Sequence, residues 1–137
     1  MRVRATKPKL IALHTDVSTL EFISIAVRSF YQVIPTRDPR WAMAWLGQYR
    51  DVSVFVCGRT LGHSDGLAVM ESACSMRPDV LRILLTGDPA EQRALDDLER
   101  GTIQHLLEEP LLAGSLLDLV CPESVGVSAS PHRVFSY

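Results

Sequence analysis

The sequence is poor in the features that mark secreted, membrane-spanning and nucleic-acid-binding proteins. Its three cysteines are odd in number and show no CxxC spacing, which favours free thiols over a disulfide framework. No apolar run is long enough to cross a bilayer, and the basic residues near Met1 precede no apolar signal-peptide core. Lysine and arginine total 14 against 16 acidic residues, and the basic residues are scattered. We therefore expect a cytoplasmic protein that binds neither membranes nor nucleic acid.

What the sequence does contain is a regular alternation of short apolar runs and helical patterns. Its 137 residues are enough for one domain. The apolar runs predict five strands, at residues 10–13, 31–36, 52–57, 81–85 and 103–107. Consecutive parallel strands need helical crossovers, and near-continuous apolar strands are typical of sheets buried on both faces. The pattern predicts an α/β domain over residues 1–122 and a flexible tail over residues 123–137.

Helix boundaries are indicated by capping residues. Ser18 and Glu21 form a capping box that predicts the start of the first helix. Asp38 and Asp88 each precede a proline, which predicts that they cap the second and fourth helices. Asp65 is predicted to cap the third helix, which begins at Gly66 and ends before Pro78, and the fifth helix precedes Pro122.

Several segments of the sequence together resemble the response-regulator receiver domain. Residues 52–66 read as a buried strand, a polar loop and an Asp65-Gly66 pair at the start of a helix. Residues 77–87 look like the fourth strand of receivers, which Thr86 closes, and Glu109-Pro110 occupies the place of the family's Lys-Pro turn. The resemblance covers residues 9–121. It implies a flavodoxin-like (βα)5 fold, a three-layer sandwich whose parallel sheet has the strand order 2-1-3-4-5.

The resemblance also implies that most of the groups needed for phosphoryl transfer are missing. Glycine occupies the position of the phospho-acceptor aspartate, Glu109 replaces the lysine, and Leu106 replaces the aromatic switch residue. His14 and Thr15 stand where receivers carry two Mg²⁺-binding acids, and Asp16 follows them. Without a nucleophile or a neutralising cation, the reaction should not occur. The degenerate pocket then comprises His14, Thr15, Asp16, Gly58, Thr86 and Glu109.

These losses predict a pseudo-receiver, a non-enzymatic protein-interaction module of two-component type that acts without phosphorylation and without a cofactor. The alternative is a sensor that holds a small ligand or a metal in the vacated pocket. His14, Cys57 and His63 all lie near the predicted carboxyl edge of the sheet, and imidazole with thiolate suits zinc. Cys57, however, is predicted to face the core, so we expect no metal site. Two interpretations of Thr86 stay open. Its hydroxyl is either a remnant of the receiver's phosphorylation switch or a hydrogen-bond partner for a backbone group at the end of its strand.

The predicted partner surface is the face formed by the fourth helix, fifth strand and fifth helix, which receivers use for dimers and effectors. Its mixed charge suits recognition of a partner protein or a second copy. The residues assigned to it are Arg93, Asp96, Asp97, Arg100 and Leu106. A second candidate surface is an aromatic series spaced at i, i+4 and i+8 on the second helix, namely Trp41, Trp45 and Tyr49. The competing explanation is that at least one of the two tryptophans packs in the core.

Overall fold

The computed structural model describes residues 7–121, which form one parallel β-sheet covered by helices on both faces. The sheet strands are β1 (Lys9–Leu13), β2 (Gln32–Thr36), β3 (Val52–Gly58), β6 (Leu81–Thr86) and β7 (His105–Glu108). A small antiparallel hairpin pairs β4 (Thr60–Leu61) with β5 (Ser64–Asp65). The helices are α1 (Val17–Val27), α2 (Pro39–Gln48), α3 (Gly66–Met76), α4 (Gln92–Arg100) and α5 (Ala113–Val120). Within residues 7–121, no helix combines the length and apolar character needed to cross a lipid bilayer.

The strand order of the sheet is β2-β1-β3-β6-β7. The sequence predicted 2-1-3-4-5, which did not include the two strands of the hairpin; the fourth and fifth strands of the sheet are therefore β6 and β7. The hairpin was missed because each of its strands is two residues long, too short for a period-2 pattern. It turns at Gly62, whose φ of +69° is a conformation that glycine adopts without strain.

Alternate residues of each strand face the two helical layers. In β1, Ile11 and Leu13 contact the core beneath α2, α3 and α4, whereas Leu10 and Ala12 contact the core beneath α1 and α5. Apolar strand residues contribute to both cores, as the near-continuous apolar strands predicted. Cys57 lies in the first core and is fully buried, which confirms the prediction that it packs as a small apolar side chain.

Two of the predicted helix starts are wrong and two are confirmed. Asp16, rather than Ser18, caps α1, because its carboxylate accepts the backbone N–H of Ser18. Asp38 and Asp65 cap α2 and α3 as predicted. Asp88 does not start α4.

The start of α4 lies at Gln92, after a turn that follows Asp88. The Asp88 carboxylate accepts the N–H of Ala90, and the Asp88 carbonyl accepts the N–H of Glu91. This turn satisfies the Asp88 groups that would otherwise cap a helix. Glu91 is the N-cap residue, and its side chain is engaged elsewhere.

Candidate functional site

A cleft of about 560 Å³ lies at the carboxyl edge of the sheet, where β1, β3 and β6 end. Open α/β sheets bind ligands at this edge. The structure brings together four of the six predicted pocket residues along the cleft, and Gly58 ends the adjoining strand. The cleft is lined by His14, Thr15, Arg59, Thr60, Thr86, Gly87, Asp88, Glu91 and Glu109.

The His14 ring is held between two hydrogen-bond partners. Its Nε2 lies 2.7 Å from Oε2 of Glu109, and its Nδ1 lies 3.0 Å from the backbone nitrogen of Asp16. A backbone N–H can only donate, so Nδ1 must accept, and we assign the proton to Nε2, which donates to the Glu109 carboxylate. Only 8% of His14 is exposed. Both ring nitrogens are therefore occupied, and the ring orientation is fixed.

Gly58 ends β3 directly beneath this ring. A Cβ atom placed on Gly58 would lie 2.8 Å from Cδ2 of His14 and 3.3 Å from its Nε2. Carbon atoms pack best at about 3.5–4.0 Å, so a side chain at this position would overlap the ring. His14 thus occupies the space into which any side chain of residue 58 would project.

Thr15 and Asp16 are engaged in local structure. The Asp16 carboxylate accepts hydrogen bonds from the Ser18 N–H and from the Thr19 hydroxyl, and the Thr19 bond is the main reason that the pKa of Asp16 lies below its ordinary value. The Thr15 carbonyl accepts from Nε of Arg37, 3.0 Å away. Both oxygens of Asp16 serve the start of α1.

Thr86 is buried at the end of β6, and its hydroxyl bonds the backbone of its own turn. Its Oγ1 accepts the N–H of Asp88 at 3.0 Å. Thr36 makes the same contact with Asp38 at the end of β2. Because the same turn follows β2, away from the cleft, we favour the interpretation that the Thr86 hydroxyl serves only the backbone at the end of its strand.

The sequence analysis missed a network of ion pairs at the mouth of the cleft. Nε and Nη2 of Arg59 bind both carboxylate oxygens of Glu91 at 2.8 and 2.7 Å, and its Nη1 lies 2.6 Å from Oδ1 of Asp65. Arg93 binds the second Asp65 oxygen at 3.0 Å. The hydrogen bonds from Arg59 lower the pKa of Glu91. Burial raises the pKa of Asp65, but the hydrogen bonds from Arg93 and the Leu67 N–H, with the charge of Arg59, outweigh burial and leave this pKa below its ordinary value. The network joins the end of β3, the cap of α3 and the start of α4.

No protein-family model matches the sequence, and a search of curated proteins returned no match. Solved structures do match over nearly the whole chain. A response regulator receiver domain protein (CheY-like) from Methanospirillum hungatei JF-1 has a TM-score of 0.78 and 15% identity, covering 88% of this chain and 96% of its own. The signal receiver domain of an HD domain-containing protein from Pseudomonas fluorescens Pf-5 has a TM-score of 0.75 and 23% identity, with the same coverages.

The chain has the receiver fold. A structure described as an adenylate cyclase from Rhodopirellula baltica shares it, with a TM-score of 0.74 and 16% identity over 91% of this chain and 100% of that one. The Glu109–Pro110 peptide bond, at the receiver position of the Lys-Pro turn, is cis.

Within this receiver fold, the cleft is unsuited to an anion. Asp88, Glu91 and Glu109 line it, and its arginine is already bound to two carboxylates. Among residues 7–121, no three side chains of His, Cys, Asp or Glu are placed to hold a metal ion. Burial raises the pKa of the Cys57 thiol, which disfavours the thiolate that zinc requires.

The predicted partner surface is only partly exposed. Arg93 and Arg100 have side chains that are 64% exposed, but each makes an ion pair, with Asp65 and Asp97 respectively. Asp97 is 7% exposed and Leu106 is buried against the core, so the expectation that Asp97 belongs to the exposed face is wrong. Asp97 lies on the side of α4 that also carries the buried Ala94. Asp96 is half-buried, and its carboxylate accepts a hydrogen bond from the side-chain amide of Gln92.

We expect Mg²⁺ at millimolar concentrations to leave the melting temperature unchanged. The ion prefers carboxylate oxygens. The positions that the resemblance assigns to the two Mg²⁺-binding acids carry His14 and Thr15, and Asp16 already caps α1. Thermal denaturation with MgCl₂, compared with NaCl of equal ionic strength, measures this. Saturable stabilisation that appears only with Mg²⁺ would contradict the expectation, because a ligand that binds the folded state raises its stability.

Proposed function

We propose that the chain is a pseudo-receiver of two-component signalling that cannot be phosphorylated and acts by binding a protein partner or a second copy of itself. The observation that carries the proposal is the His14 ring above Gly58. The pocket lacks an acceptor carboxylate, and the room for one is filled by a ring that Glu109 and Asp16 hold in place. No enzymatic activity is part of this proposal.

The Arg59 network supports a constitutive rather than a switched output. Its charge-assisted bonds fasten the first turn of α4 to the end of β3 and to the cap of α3. A bidentate arginine–carboxylate pair adds geometric specificity to its energy. The position of α4 is thereby set by residues of the chain itself. Leu106, at the aromatic switch position, is buried among apolar residues.

The exposed part of the α4 face, comprising Gln92, Arg93, Glu99 and Arg100, is the proposed docking surface. Charge reversal of Glu99 should weaken self-association or capture of the partner by about tenfold, since like charges across an interface oppose binding. Glu99 is exposed, so its reversal should leave the melting temperature nearly unchanged. Sedimentation over a concentration series measures self-association, and capture from the source cell measures partner binding.

Glu21→Lys is the matched control, because Glu21 is an exposed glutamate on α1, across the sheet from α4. It should bind as the wild type does. Arg93 and Arg100 make less suitable test positions because their ion pairs would be broken as well. Binding that survives Glu99→Lys but is lost on changing Trp41, in a variant that stays folded, would move the partner surface to α2 and overturn this part of the proposal.

A further inference from the structure

An apolar surface covers the outer side of α2 and the end of α3. Trp41 is 57% exposed, and its ring stacks on that of Trp45 with the centroids 5.9 Å apart. Trp45 packs partly against the core, which confirms the prediction that at least one tryptophan is held there. Met76, the last residue of α3, is 44% exposed. Large apolar side chains exposed together on one surface, rather than singly, indicate an interaction site.

Two small residues connect Trp41 with Met76 across α2. Ala44 and Gly47 follow Trp41 at intervals of three residues, so they are neighbours on the helix surface, and both are exposed. Gly47 lies against Met76, because a Cβ atom on Gly47 would be 3.5 Å from the Met76 Sδ. These four residues are called the α2 face below. Its centre is low, with an indole on one side and a flexible thioether on the other, which suits an apolar side chain of a partner.

The charges that border the α2 face are positive. α2 contains no acidic residue. The side chain of Arg40, in its first turn, is 90% exposed and pairs with Asp38, a surface ion pair of the kind that contributes little to stability. Arg50 follows α2, is exposed, and makes no side-chain ion pair in the described part of the chain. The neighbouring carboxylate of Asp51 is already bound to Lys9.

This charge distribution disfavours a second copy of the chain as the occupant. In a twofold dimer, the same surface of both copies meets itself. An antiparallel pair of α2 helices would place Arg40 opposite the Arg50 of the second copy, and a parallel pair would place each arginine opposite its own equivalent. Like charges would face each other in both arrangements. A negatively charged partner would instead meet a complementary charge at each end of α2.

The spacing of the two arginines favours an acidic peptide over a nucleic acid. A nucleic-acid strand carries a charge on every nucleotide and is bound by a basic groove that follows its backbone. On α2, Arg40 and Arg50 are separated by about 15 Å of helix, and the residues between them are uncharged. A peptide with acidic residues on either side of an apolar stretch matches this pattern.

We propose that the α2 face binds an acidic segment of another protein. An apolar side chain of that segment lies between Trp41 and Met76, and its carboxylates pair with Arg40 and Arg50. Tryptophan and arginine are among the residues that most often dominate the binding energy of protein interfaces. The α2 face shares no residue with the docking surface proposed on α4, so the two surfaces can be occupied independently.

Titration of the full chain with designed peptides tests the proposal. The probe is a helix-forming peptide with leucines along one face and with two glutamates spaced as Arg40 and Arg50 are. It should bind saturably in calorimetry and should shift the tryptophan emission to shorter wavelength, because Trp41 loses its contact with water. A peptide with the same leucines and with lysines in place of the glutamates should bind about tenfold more weakly, since its charges oppose those of the face.

Two variants, each with a matched control, locate the binding site. Trp41→Ala should weaken binding of the glutamate peptide about tenfold, whereas Ile25→Ala, which removes a similarly exposed apolar side chain from α1, should leave it unchanged. Arg50→Glu should weaken binding about fivefold. Its control is Arg28→Glu, because Arg28 is an exposed arginine that directly follows α1 as Arg50 follows α2. All four positions are exposed, so the melting temperatures should stay nearly unchanged.

Glu99→Lys should bind the glutamate peptide as the wild type does, which separates this site from the surface on α4. Equal affinities for the glutamate and lysine peptides, or an affinity that Trp41→Ala leaves unchanged, would overturn the proposal. Absence of binding at millimolar peptide would overturn it as well. Self-association that is lost in Trp41→Ala would assign the face to a second copy, and tighter binding of an oligothymidine than of the glutamate peptide would assign it to nucleic acid. Either result would replace the proposed partner.

Discussion

Incubated with acetyl phosphate and Mg²⁺, the protein should gain no mass. A receiver takes up the phosphoryl group on a carboxylate at the end of the third sheet strand, and that residue here is Gly58. Glu109, which lines the adjoining cleft, is an anion that would repel the transferring group, and it is already bonded to His14. Intact-mass spectrometry after incubation measures the outcome.

A phosphorylatable receiver treated in parallel shows that the assay works. A stoichiometric increase in mass that persists when Asp16 and Asp65 are both replaced would mean that another carboxylate accepts the group. That result would contradict the pseudo-receiver proposal.

Gly58→Asp should destabilise the protein by about 3 kcal/mol and should still not be phosphorylated. Overpacking a well-filled site costs about 1–3 kcal/mol, and the new Cβ would lie 2.8 Å from the His14 ring. The ring cannot swing away without losing its bonds to Glu109 and Asp16. The carboxylate adds to the cost, because it would be placed near Glu109 without a cation, which raises its pKa. Denaturant unfolding and intact mass measure the two effects.

A double-mutant cycle separates packing from charge. Gly58→Ala adds the Cβ atom without a carboxylate, and His14→Ala removes the imidazole ring with which that atom would overlap. The double variant should lose less stability than the sum of the two single losses, because the clash exists only when both are present. Additive losses would show that the ring and the Cβ do not compete for one space, and phosphorylation of Gly58→Asp would show that this account of the pocket is wrong.

The fold could be predicted from the sequence because its signals are local and repeated. The apolar runs of β3 and β6, the caps at Asp38 and Asp65 and the glycine after α4 each act within a few residues. The predicted start of α4 failed because Asp88-Pro89 is equally suited to a turn. The choice between turn and cap was made by contacts of Glu91 with Arg59, far away in the sequence.

Spacing predicts that Gly58 and Glu109 stand at the acceptor and lysine positions, but it does not predict which side chain fills the space between them. It could not show that the His14 ring lies over Gly58, because spacing along β1 fixes where a side chain starts and not which rotamer it adopts. The pairing of Arg59 with Glu91 joins residues 32 positions apart and has no local signature. The only feature of the sequence that indicates this ion-pair network is the position of Arg59, directly after a strand at the carboxyl edge of the sheet.

Gly66 lies against the backbone of residue 58, whichever side chain that residue carries. A Cβ on Gly66 would lie 2.1 Å from the carbonyl oxygen of Gly58, a distance that no side-chain movement can relieve. His14 meanwhile blocks position 58 from above. A variant designed to carry an acceptor at position 58 must therefore replace His14 as well as Gly58, while Gly66 stays unchanged. A single substitution at position 58 does not provide the space that its own side chain needs.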